Sequence, residues 1–205
     1  MITLYAGSLV VTEAVAEEVQ HRAGGLGQRW TAENPLLRLG ANVAAQKIKS
    51  GEIRKLPLSY SRGAVDELDR VLRQLREFEA AQNAQFSRMS DGVASAHKHT
   101  GEAHSIVNAL RTQASNHKTV LLTNDGGAIA IAQRNGVPWK HVGQLLIELG
   151  CEDSELEPEG LYEDFASITS QFATVPKQYR PSSPKDFQCT KETDGSCMQC
   201  TREVH

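Results

Sequence analysis

The chain has 205 residues, 40% of them hydrophobic but only 5% aromatic, and a formal net charge of -3. That composition supports a core of Leu, Val, Ile and Ala, in one domain with an appendage or in two small domains. No apolar run approaches the roughly 20 residues of a membrane span, and no basic-then-apolar leader marks secretion, so a soluble, cytoplasmic protein is expected.

In chain order, Leu9-Val10-Val11 reads as a short strand handing over to a helix. Thr12 is its N-cap, and Val15 and Val19 form an apolar i, i+4 pair. Gly24-Gly25-Leu26-Gly27 breaks it. A second helix is expected from about Pro35 to Lys49, using Leu36, Leu39, Val43 and Ile48 and stopping at Ser50-Gly51. Ile53–Leu58 reads as a strand. From Ala64 to about Arg88, Val65, Leu68, Val71, Leu72, Leu75 and Phe78 recur at 3.6-residue spacing, opposite Asp66, Glu67, Asp69, Arg70, Arg73 and Arg76. A His-rich turn then precedes a helix at Glu102. Val120-Leu121-Leu122 reads as a buried strand, Ala128–Arg134 as a helix stopped by Asn135-Gly136, Val137–Trp139 as a strand and Val142–Leu149 as a helix. Short apolar strands alternating with helices predict an α/β domain with a mostly parallel sheet.

Charge is divided along the chain. Residues 1–150 hold 17 Lys/Arg against 14 Asp/Glu, whereas residues 151–205 hold 5 against 11. Seven acids fall within residues 152–164, and Pro176–Pro184 is rich in Pro and Ser. The first reads as a solvated helix or linker face and the second as a linker. A sharper alternative is that the acidic run folds over a basic groove and competes with nucleic acid.

The acids of interest stand where strands hand over to helices. Glu17 and Glu18 lie one to two turns into the first helix, Glu102 opens a later one, and Asp125 follows the Val120 strand within Thr123-Asn124-Asp125-Gly126. In open parallel sheets, ligands sit at that end of a strand. Converging carboxylates repel unless a proton or cation neutralises them, and magnesium and manganese favour such oxygen donors. Such a site activates water and stabilises charge on a phosphodiester. Thr123 and Asn124 would orient a water or ligand beside Asp125. The competing roles are ordinary ones: an Asp in such a loop caps a helix, and a Glu early in a helix favours its dipole.

Four segments carry a resemblance: VVTEAVAEEV at 10–19, GEAHSIVNAL at 101–110, VLLTNDGGAIAIAQRNGVP at 120–138 and VGQLLIELG at 142–150. In order and strand–helix character they resemble the PIN domain, the fold of many metal-dependent ribonucleases, including the toxins of toxin–antitoxin pairs. The resemblance implies a three-layer α/β fold around a mostly parallel central sheet over residues 1–150, followed by an acidic linker and an irregular Cys-containing tail over 151–205. It implies that Glu18 (or Glu17), Glu102 and Asp125 bind magnesium or manganese and carry catalysis, with Thr123 and Asn124 in support. The implied activity is endoribonucleolytic hydrolysis of RNA by a metal-activated water. An inhibitor protein or a second copy of the chain is the implied partner. Arg22, Arg29, Arg54, Lys55 and Arg62 are candidates to grip the RNA backbone.

The sequence departs from the family pattern at its start. PIN domains open with a strand bearing an Asp, and Met1–Ser8 contains no acid. The expected sheet is therefore incomplete at its N-terminal side. The alternative to a nuclease is a non-catalytic binding or assembly module with the same fold.

His97, His99 and His104 cluster in sequence around Glu102. His97-x-His99 has the spacing to ligate a transition metal, and His104 the chemistry of a proton shuttle; the plainer reading is an exposed polar turn. In the tail, Cys189, Cys197, Cys200 and His205 supply the ligand count of a structural zinc site. A mobile reduced tail and a redox pair are the alternatives. With Phe187 as its lone large apolar residue, the tail is expected to need the metal to fold.

Overall fold

The computed structural model describes residues 8–24, 35–57, 61–85, 98–171 and 175–188. The chain divides into two compact units, Met1–His117 and Lys118–His205. Both are α/β, and helix predominates in the described residues.

In the first unit, β1 (Val10–Thr12) pairs in parallel with β2 (Arg54–Leu56), in the register Val10↔Arg54, Val11↔Lys55 and Thr12↔Leu56. The buried Thr12 ends the strand and starts α1 (Glu13–Gly24), its Oγ1 accepting the Val15 N–H at 3.4 Å. That satisfies one of the orphan donors of the first turn. Helix α2 (Pro35–Ser50) packs on α1. It stops at Gly51, whose φ of +84° lies in the left-handed region that glycine enters without penalty. The chain then returns, Ile53 N–H donating to the Lys47 carbonyl at 3.0 Å.

Helix α3 (Arg62–Gln85) buries Ala64, Val71 and Leu75 and exposes Asp66, Asp69, Arg70, Arg73 and Arg76 as its period implies, but Val65, expected on the apolar face, is also exposed. Helix α4 (Thr100–Ala114) packs against both α3 and α1 and buries Ala103, Ile106, Val107 and Ala109. Among the described residues, this unit's buried apolar side chains are all aliphatic, as the low aromatic content requires. Alanines at the helix contacts permit close approach.

In the second unit, β3 (Leu121–Leu122) pairs in parallel with β4 (Trp139–Lys140), and α5 (Gly126–Arg134) connects them. Helix α5 ends at Asn135-Gly136, where Asn135 Nδ2 donates to the Ile131 carbonyl at 2.7 Å and Gly136 takes a φ of +68°. Helix α6 (Val142–Glu152) follows. Among the described residues, the strands form two separate two-stranded parallel sheets, where a single larger sheet was expected. The α/β class and the parallel pairing agree with the sequence reading.

Residues 151–188 include the solvated helix that was one reading of the acidic run, but they pack as part of a core where a linker and irregular tail were expected. The acidic run leads into α7 (Pro158–Gln171), and two short 3₁₀ turns follow at Lys177–Tyr179 and Pro184–Phe187. Leu161 and Phe165 of α7 are buried with Val175 and Phe187, and Val142, Leu146 and Ile147 of α6 pack against that cluster. The acids do lie on a solvated face, but Leu161 and Phe165, four apart, give the same helix an apolar face. Phe187, expected in a tail that needs metal to fold, is 1% exposed. A Cβ on Gly150 would stand 2.7 Å from Leu161 Cδ1 and 3.2 Å from the Phe187 carbonyl oxygen, so a larger residue where α6 meets α7 would force Leu161 to shift. Among the described residues, no helix is long and apolar enough to cross a membrane.

Candidate functional site

In the first unit, the turn at Thr12 sets the direction of α1 and hence the places of Glu17 and Glu18, both exposed. The Glu18 carboxylate pairs with Arg22 one turn on, an exposed pair worth a few tenths of a kcal/mol. Its Oε2 lies 3.7 Å from where a Cβ on Gly101 would be, and Val15 Cγ2 lies 3.3 Å from the same point. The missing side chain at 101 lets α1 meet the first turn of α4. Glu102, half-buried, is the next residue, in the helix turn whose dipole favours an anion. The structure therefore brings Glu18 to the segment that carries Glu102.

Glu17 is directed elsewhere. Burial holds the His104 imidazole below its usual pKa, against the opposing pull of Glu13 and Glu17, and His104 Nδ1 is buried without a hydrogen-bond partner. Neutral imidazole is the form a proton acceptor requires. His99, the residue before α4, adopts left-handed backbone (φ 66°), and its Nε2 lies 2.9 Å from Glu79 Oε2 on α3. Lys98 pairs with the other Glu79 oxygen, and these two partners, Lys98 the stronger, hold the carboxyl below its usual pKa. His99 thus serves a clamp between α3 and the start of α4. His97 lies outside the described residues. Of the candidate RNA-gripping cations, Arg54, Lys55 and Arg62 are exposed, Arg22 pairs with Glu18, and Arg29 lies outside the described residues.

In the second unit, Thr123, Asn124 and Asp125 all hold backbone. Thr123 N–H donates to the Lys140 carbonyl at 3.0 Å, extending the β3–β4 ladder, and its Oγ1 accepts the Asp125 N–H at 3.1 Å. Asn124 Oδ1 accepts the Val142 N–H at 3.0 Å and so joins the loop to the start of α6. Asp125 Oδ1 accepts the Ala128 N–H at 2.7 Å as the N-cap of α5. Asp125 is exposed at the carboxyl end of a parallel strand, the position expected of it.

Two features escaped the sequence reading. His141 is buried and closes a capping box: its Nδ1 accepts the Gln144 N–H at 3.3 Å, while Gln144 Oε1 accepts the His141 N–H at 3.1 Å. Burial brings its pKa down to about 4. The spacing of a polar residue three before Gln was the available signal, with His in the place usually held by Ser or Thr. Beside it, Lys140 Nζ lies 2.6 Å from Glu148 Oε1, the two side chains only 8% and 0% exposed. Nothing in the local sequence distinguishes that Lys and Glu from surface residues.

Glu18 and Glu102 belong to the first unit and Asp125 to the second. Among the described residues, no group of three or more His, Cys, Asp or Glu stands together to hold a metal. The zinc candidates Cys189, Cys197, Cys200 and His205 lie outside the described residues; Cys151 is buried and not in a disulfide. No family model, curated protein or solved structure matches this chain.

Proposed function

We propose that the chain is a PIN-like, magnesium- or manganese-dependent endoribonuclease or a degenerate relative of one. The observation that carries this reading is the approach of Glu18 to Gly101, which sets a first-helix carboxylate beside the turn bearing Glu102, more than eighty residues away in sequence. Carboxylates are hard oxygen donors of the kind these cations take, so Glu18 and Glu102 have the chemistry to hold one. Glu18 and Glu102 would hold the cation; a part for Asp125 is implied by the resemblance alone. A cation held there supplies a water nucleophilic at neutral pH and offsets charge on the phosphodiester. The exposed Arg54, Lys55 and Arg62 would hold the RNA backbone.

The second reading is a non-catalytic PIN-like module that binds RNA or assembles with another protein, an inhibitor or a second copy. What favours it is that Asp125 already caps α5 and Glu18 already pairs with Arg22. Asp125→Asn separates the two readings, because Asn is as good an N-cap as Asp and leaves the fold alone. Purified protein with manganese and mixed RNA should cleave, while Asp125→Asn and Glu102→Gln should each lose about a hundredfold or more in rate if the carboxylates act through a metal. Equal degradation by wild type and both variants would sink the nuclease reading.

A further inference from the structure

We infer that the second unit carries a stacking platform for single-stranded RNA, built from Trp139 and Tyr179 next to the loop of Asp125 and backed by the buried His141. The choice of RNA rests on the ribonuclease reading; the platform rests on the second unit's own geometry. Trp139 belongs to β4, and His141 follows as the N-cap of α6. Tyr179 comes from the 3₁₀ turn of the segment expected as linker. The Trp139 and Tyr179 ring centroids lie 4.9 Å apart in a T-shaped contact at 63°. The His141 ring lies 6.0 Å from Trp139 and 6.4 Å from Tyr179.

Trp139 and Tyr179 differ from the unit's buried rings, to which His141 belongs at 4% exposed. Phe165 and Phe187 are 4% and 1% exposed, whereas Trp139 and Tyr179 stay half-buried while packing on one another. Trp139 and Tyr179 each keep part of their surface open to solvent, where a base could stack. The segment presenting Tyr179 is held at both ends by buried Val175 and Phe187. It also crosses the start of α5, where a Cβ on Gly126 would stand 3.1 Å from Pro176 Cγ. Gln133 Nε2 donates to Tyr179 Oη at 3.4 Å, and Arg180 Nε donates to the Val175 carbonyl. The platform is thus ordered before any ligand arrives, which lowers the cost of binding.

Charge selects the occupant. Residues 118–142 and 175–180 hold five Lys/Arg, and Asp125 is their one acid. Lys140 is paired with Glu148, but Lys177 and Arg180 flank Tyr179, Arg134 follows Gln133, and all three are exposed. Aromatic faces beside cations suit unpaired bases joined by phosphates, whereas a duplex keeps its bases stacked inside.

The test uses the full chain without divalent cations, so that binding is read without cleavage. Fluorescein-labelled oligouridine of about 12 nucleotides is compared with an RNA duplex of the same length by anisotropy. The single strand should bind more tightly, Tyr179→Ala should weaken it roughly tenfold, and Tyr179→Phe should stay within about twofold of wild type. Lys177→Ala, a change at an exposed side chain, should lower the slope of log affinity against log salt by about one. Wild-type affinity in both Tyr179→Ala and Lys177→Ala, or no preference for the single strand, overturns the platform. Tyr179-dependent binding in a protein that never cleaves RNA supports the platform and removes the nuclease; cleavage with Tyr179-independent binding does the reverse.

Discussion

At the scale of single residues, the second unit's most constrained side chains are the buried pair Lys140 and Glu148. Two opposite charges taken out of water are weakly stabilising as a pair, but removing one leaves the other's desolvation without its compensation. Lys140→Met should therefore cost about 3–5 kcal/mol, read from urea unfolding, and Lys140→Met/Glu148→Leu should recover most of it. A single variant as stable as wild type would mean that the pair is hydrated in solution. The same scale shows the limit of sequence reading. Asp125 was legible as a strand-end acid because its neighbours form an obvious strand and helix, and its role as a cap is local. Glu148 was not legible, because its burial follows from what packs over α6 rather than from its own neighbours in sequence.

At the scale of elements, most helices and strands were read correctly, because their signals are local: Thr12 before an apolar period, Gly51 and Gly136 at helix ends, Val71 and Leu75 one turn apart. The cap of α6 was the element signal missed, and it predicts a pH dependence. His141 has a folded pKa of about 4, against an ordinary 6.5. Below pH 6.5 the unfolded chain takes up a proton that the folded capping nitrogen refuses. The cap's contribution is therefore complete above that pH, falls as pH drops from 6.5 towards 4, and declines no further below it. Urea midpoints measured from pH 7 to 4 should fall in wild type, and His141→Asn, which caps without titrating, should flatten its share of the slope. A variant with the wild-type slope would place the acid sensitivity on other groups, with the buried His104 next to examine.

At the scale of the molecule, the apolar cluster of Leu161, Phe165, Val175 and Phe187 makes the acidic segment part of the second unit's core. A chain ending at Gly150 should lose cooperative melting of that unit, as followed by circular dichroism, while one ending at Gln188 should keep it; equal melting would show the cluster to be dispensable. The sequence by itself determined the α/β class, the parallel pairing, most elements with the cap at Thr12 and the stops at Gly51 and Gly136, and the strand-end position of Asp125, since each follows from periodicity or turn chemistry over a few residues. Only the tertiary structure decided that Glu18 meets the turn of Glu102 through the gap at Gly101, that Lys140 and Glu148 share the interior, and that an acid-rich, proline-rich stretch folds and sets Tyr179 against Trp139. Those facts depend on which surfaces lose water against each other, and segments far apart in the chain settle that together.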